Sequence, residues 1–127
     1  MGNEVQCIEH IKALLDDAGI QNQALAKASG LPNPIAWLSG DGIAGPLLLQ
    51  DHIYVVLANP ERWRHPPFGG DLVDGFPWEW GSLDMKGVIA MMLHAILRAK
   101  TDGMASAGDI VLALVSDDES GGDQGGR

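Results

Sequence analysis

Four residues of this 127-residue chain carry donor atoms suited to metal or acid–base chemistry: His52 in LLLQDHIYVV, Asp84 in GSLDMKG, and Asp118 with Glu119 in LVSDDESGG. An imidazole nitrogen and carboxylate oxygens are a donor set for zinc or a similar divalent ion. A hydrolytic site adds a carboxylate as general base. Each residue also has a plainer reading. His52 is then a strand residue facing water, Asp84 a helix cap, and residues 117–119 a solvated turn. Spacing alone leaves both readings open.

The elements that must hold these groups are read from hydrophobic spacing. Cys7, Ile8, Ile11, Leu14 and Leu15 fall at helical intervals within residues 5–18, and Gly19 supplies a stop. The next stretch, IQNQALAKASGLPNP, is ambiguous. Its Ala, Gln and Lys favour helix, whereas its length and its Gly-Leu-Pro-Asn-Pro break suit a strand and turn. IAWLSGDGIAGPLLLQ reads as strand, glycine-rich turn, strand, which predicts a hairpin. Residues 59–77 read as a long Pro- and Gly-rich loop, of the kind that is functional or disordered. Residues 85–100 (MKGVIAMMLHAILRAK) are the clearest helix, with Val88, Met91, Met92, Ala95, Ile96 and Ala99 three and four apart. Asp84 precedes it, where a carboxylate can cap the helix and meet its positive end. The Met91–Met92 pair reads as core filling and His94 as a surface or packed histidine. GDIVLALVS is a fully buried strand. Strand, long loop, helix and strand together predict an α/β domain, in which groups far apart in sequence can converge outside the strand ends.

Composition narrows the function classes. The length allows one domain, and 46% hydrophobic residues suit a core. The net charge is −9, with eight scattered Lys and Arg residues, which argues against a nucleic-acid partner and suits cation binding or a solvated acidic surface. The single cysteine, Cys7, excludes an internal disulfide and a Cys-based zinc cluster, and it reads as a packed thiol. The N-terminus MGNEVQCIEHIK has neither a signal-peptide pattern nor a complete myristoylation motif. With no apolar run approaching a membrane span, the expected compartment is the cytoplasm, with no membrane partner.

LLLQDHIYVV, ERWRHPPFGGDLVDGFPWEWGSLDMKG and LVSDDESGG resemble successive motifs of one family. Its members include aminoacylase, glutamate carboxypeptidase, acetylornithine deacetylase and succinyl-diaminopimelate desuccinylase, which are dinuclear zinc peptidases and deacylases. The resemblance covers residues 46–122. It implies an α/β fold: a three-layer αβα zinc-peptidase-like catalytic domain with a mixed sheet. Residues 1–127 would be the N-terminal part of that domain, without the lid or dimerisation domain. It further implies that His52 is a zinc ligand, that Asp84 bridges two zinc ions, and that Glu119 holds the second. Asp118 stands at the general base, which takes a proton from the attacking water.

The same resemblance exposes departures. Tyr54 replaces an aspartate that would hydrogen-bond the zinc-bound imidazole, a change expected to cost about 10- to 100-fold in affinity or activity. Asp118 is one methylene shorter than the family's glutamate. Asp51 replaces a glycine, Leu57 a proline, Glu79 and Trp80 a Gly-Arg pair, and Val88 a second glycine. Relatives carry further zinc ligands downstream of the position of Glu119, whereas this sequence stops at Arg127. The expectation is therefore a zinc-dependent amidohydrolase acting on N-acyl amino acids or small peptides, truncated, with an incomplete ligand set and inactive alone. The alternative is a non-catalytic module that pairs or self-associates through an unfinished sheet edge.

Overall fold

The computed structural model describes residues 4–26 and 31–116. Helix α1 spans Glu4–Asp17 and buries Ile8, Ile11 and Leu15, the stripe that the spacing predicts. Gly19, at φ +64°, ends it, with Gly19 N donating to Asp16 O and Ile20 N to Leu15 O, both at 2.9 Å. The ambiguous segment that follows is a strand, β1 (Gln21–Ala26), antiparallel to β2 (Pro32–Leu38).

β3 (Leu47–His52) does not pair with β2, so the hairpin expected from residues 35–50 is absent. The sheet order is β1-β2-β6-β3, with β6 (Ile110–Val115) antiparallel to β2 and parallel to β3. The apolar β6 accepts partners along both edges and takes the centre. The glycine-rich connection must then cross about 9.6 Å, twice the spacing between strands. It does so by running beside the chain that leads into β6. Asp41 N donates to Ser106 O, Ala44 N to Ala107 O and Leu47 N to Asp109 O, each at 2.8 Å. Gly40 N is held by Asp109 Oδ1 at 2.9 Å. A Cβ on Gly40 would lie 2.2 Å from Gly108 O, and one on Gly108 would lie 2.3 Å from Gly45 O. The glycines are there because two backbones touch. A mixed α/β fold with a mixed sheet is the outcome.

Helix α2 (Gly87–Thr101) buries Ile89, Leu93 and Ile96. These meet α1 residues, Ala36, Leu112 and Leu114 in one core, so both helices cover the same sheet face. Met92 packs against that core, but Met91 is exposed and is not core filling; His94 is also exposed. The helix begins two residues later than predicted. Residues Ser82–Lys86 form an irregular turn in which Asp84 is extended (φ −128°, ψ 92°) and the Asp84–Met85 peptide is cis. Asp84 is therefore no helix cap, and no side chain caps α2.

Within residues 59–77, Pro60–Arg62 make a 3-10 turn whose first free amide, Glu61 N, is capped by Asn59 Oδ1. A short ribbon follows: β4 (Asp71–Val73) pairs antiparallel with β5 (Phe76–Trp78). Asp74 and Gly75, at φ +53° and +83°, form its tight turn. Among the described residues no helix is long and apolar enough to cross a membrane.

Candidate metal centre

His52 lies at the C-terminal end of β3, in register with Val115 of the parallel β6. The pairing continues one step beyond, with Ile53 N donating to Val115 O at 3.0 Å. The end of β6 is anchored across the sheet, because Ser116 N donates to Asn33 Oδ1 at 2.7 Å. These contacts fix the C-terminal ends of two neighbouring parallel strands, the place where α/β sheets gather ligands.

The imidazole is buried, with His52 only 8% exposed. Its Nδ1 lies 2.9 Å from the main-chain oxygen of Tyr54. A carbonyl can only accept, so Nδ1 donates in this contact and carries a proton. Nε2 in turn lies 3.5 Å from Asp84 Oδ1. The orienting role expected to be lost with Tyr54 is filled by that residue's backbone, a partner metal-bound histidines commonly use.

Asp84 reaches His52 because of the turn that carries it. Gly81 sits at φ +86°, and a Cβ there would lie 2.5 Å from Val55 Cγ1. Lys86 N closes the turn on Gly81 O at 2.9 Å. Lys86 Nζ bonds Glu79 Oε1 at 3.1 Å, and Ser82 Oγ donates to Glu79 O at 2.8 Å. The Asp84 side chain is 74% exposed.

His52 Nε2 and the Asp84 carboxylate oxygen face each other, an arrangement that a proton or a metal ion between them accommodates. Two ligand atoms on one tetrahedral zinc ion stand about 3.4 Å apart, given Zn–N and Zn–O bonds near 2.1 Å. The 3.5 Å separation fits that spacing, so the residues fit as part of a zinc site. Among the described residues no group of three or more His, Cys, Asp or Glu side chains converges. Asp118 and Glu119, the expected base and second-site ligand, lie outside the described residues.

Asp51 stands beside His52 but faces the helices, in register with Leu114. It is 4% exposed. Its Oδ1 accepts from His52 N at 2.7 Å, and among the described residues Oδ2 has no hydrogen-bond partner. Burial raises its carboxyl above the ordinary aspartate pKa; the bond from His52 N and the nearby imidazole oppose this, and Asp84 adds to it.

Sequence patterns passed over the supporting groups. Trp80 Nε1 donates to Val56 O at 2.6 Å, and its ring meets Trp63 edge-on with centroids 5.4 Å apart. The cluster Trp63, Trp78 and Trp80 was the available signal, since three indoles fall within 18 positions, one inside the segment read as loop and two just after it.

Comparison with known proteins agrees with the fold and the family pattern. Residues 48–127 match the model of peptidase family M20/M25/M40. Succinyl-diaminopimelate desuccinylase of Methylorubrum extorquens is 42% identical over 63% of this chain and 21% of its own length. Aminoacylase-1 of Sus scrofa is 35% identical over 72% of this chain and 23% of its own. A solved M20 family metallo-carboxypeptidase from Sulfolobus solfataricus superposes with a TM-score of 0.80. That match covers 95% of this chain and 27% of the other at 19% identity, a likeness of fold. The chain spans about a fifth of the length of the two curated relatives, 21% and 23% respectively.

Proposed function

Because this chain belongs to peptidase family M20/M25/M40, we propose that it is the N-terminal part of the catalytic domain of a zinc-dependent amidohydrolase. Its substrates would be N-acyl amino acids or small peptides. The observation that carries the reading is the facing pair of candidate donors, His52 Nε2 and Asp84 Oδ1, 3.5 Å apart, the spacing of two ligands on one tetrahedral zinc ion. His52 and Asp84 would hold metal, and Glu119, a few residues after β6, would add a carboxylate. When bound, zinc supplies Lewis-acid polarisation of the amide carbonyl and makes water more acidic. The protein's own part is positional. The Tyr54 carbonyl orients the His52 ring with Nε2 toward Asp84, the turn at Gly81 presents Asp84, and Asp118 accepts the proton of the attacking water.

By the family resemblance each of two metals would take two of His52, Asp84 and Glu119, with Asp84 shared, whereas catalytic zinc sites take three protein ligands. The isolated chain is therefore proposed to bind zinc with little turnover. Calorimetric titration of zinc into metal-free protein tests this. One-site binding is expected, weakened at least about 100-fold in His52→Ala and in Asp84→Asn. Binding unchanged in both variants would remove the site.

A second reading has one observation in its favour. β3 is an edge strand of the described sheet, and its Leu47 and Leu48 are 55% and 56% exposed. Edges of this kind recruit further strands. Self-association that Leu48→Lys abolishes in sedimentation velocity would support it.

A further inference from the structure

A cavity of about 410 Å³ opens beside Asp84, walled by Val55, Trp63, Trp78, Trp80 and Leu83. We propose that it seats the apolar acyl or side-chain group of the amide substrate, a specificity pocket whose assignment to a substrate rests on the hydrolase reading above.

The walls are apolar except at Asp84, and the other polar side chains among them have partners. Trp80 Nε1 is committed to Val56 O, Ser82 Oγ to Glu79 O, and the Glu79 carboxylate to Lys86 Nζ. Away from Asp84, a ligand there meets indole surface, Val55 and Leu83. The indoles are braced: Trp63 and Trp80 pack edge to face, and Trp78 leans on His65 with centroids 4.7 Å apart. The cavity is therefore preformed, which lowers the cost of binding. Leu83 is 91% exposed, an apolar side chain that a ligand would cover.

Size and position select the occupant. An apolar cavity of about 150 Å³ already accepts benzene, so this one has room for a bicyclic ring or a medium-length acyl chain. Asp84 belongs both to its wall and to the candidate metal donors. A group held in the cavity thus places its attached amide at the donors. Glu79 and Trp80, where the chain departs from the Gly-Arg pair of the family it resembles, also line the cavity. Indole faces also attract cations, but the neighbouring Glu79 charge is already paired with Lys86.

Three of the chain's four tryptophans line the cavity, so ligand entry can be followed by their fluorescence. The probes are N-acetylglycine, N-butanoylglycine and N-octanoylglycine, added to the zinc-loaded full chain. Affinity is expected to rise about two- to fourfold per added methylene, the range for partial to full burial of a CH₂. In Leu83→Gln, which adds no charge beside Asp84, that dependence should flatten while the heat of zinc binding is unchanged. In His52→Ala zinc binding should fall while the dependence on acyl length persists. Equal affinity for all three probes would overturn the proposal. So would a chain-length response unchanged in Leu83→Gln, or tighter binding of choline than of N-octanoylglycine. Acyl-length selectivity in a wild-type chain that takes up no zinc would keep the cavity and refute the metal site.

Discussion

Replacing Asp51 by Asn is predicted to stabilise the metal-free protein at neutral pH. The carboxylate is 4% exposed, and only its Oδ1 is bonded, by His52 N at 2.7 Å. Oδ2 has no partner among the described residues. An unsatisfied buried acceptor costs about 1–3 kcal/mol, and more when charged. Asn keeps the Oδ1 acceptor and removes the charge, at the expense of an amide group that also needs a partner. The net gain is set at about 1 kcal/mol, or roughly 5 °C in melting temperature for a domain of this size.

The effect must depend on pH in one direction. The folded carboxyl is raised, chiefly by burial, so the native state holds this proton more tightly than the unfolded chain. Asp51 then stabilises fully only below its unfolded pKa of about 3.9. That contribution is lost as pH rises through the higher folded-state value. Melting curves in EDTA from pH 3.5 to 8 should show wild type and Asp51→Asn converging at the acid end and separating toward neutrality, the variant being the more stable. A variant that melts at or below wild type at pH 7, or a gap that stays constant across the range, would refute the argument.

Gly108→Ala should lower the melting temperature by more than about 10 °C, since its Cβ would lie 2.3 Å from Gly45 O and the backbones cannot part cheaply. Gly45→Ala, with nothing within 4 Å, is the control and should melt within about 2 °C of wild type. Asp16 behaves oppositely to Asp51: bonds from Asn22 and Lys12 lower its pKa. Its stabilisation is present above the ordinary aspartate value and lost as pH falls through the lowered folded one. Asp16→Ala should therefore flatten the acid limb of the melting-temperature profile between pH 2 and 5.

Local periodicity made part of this fold legible. α1, α2 and β6 follow from apolar spacing because each buries one stripe or a whole strand. The β2–β3 hairpin failed because adjacency in sequence cannot reveal that β6, from far downstream, pairs between them. The β4–β5 ribbon carried its own signal, the Asp74-Gly75 turn, but it was submerged in the prolines and glycines around it. Asp84 looked like a cap because a helix follows it, yet extended φ and ψ at that residue turn the carboxylate to His52 instead. The Tyr54 partner of His52 is a carbonyl oxygen, which every residue has, so no side-chain pattern can announce it. Residue identities flagged His52 and Asp84, while their 3.5 Å approach needed the tertiary structure.

The central place of β6 bears on how the chain is made. Gly40 waits for a carboxylate 69 positions later, and β2 and β3 find their common neighbour only when residues 110–115 exist. Contacts of such high sequence separation slow folding. During synthesis, β1 and β2 can zip as they emerge, but Ala36 of β2 and Leu49 of β3 wait for Leu112, their common neighbour in the core, for about 60 to 80 further residues. At about 5–20 residues per second, that leaves a sticky half-sheet in the cell for several seconds per molecule. It is in this interval that a nascent-chain chaperone would have most to do.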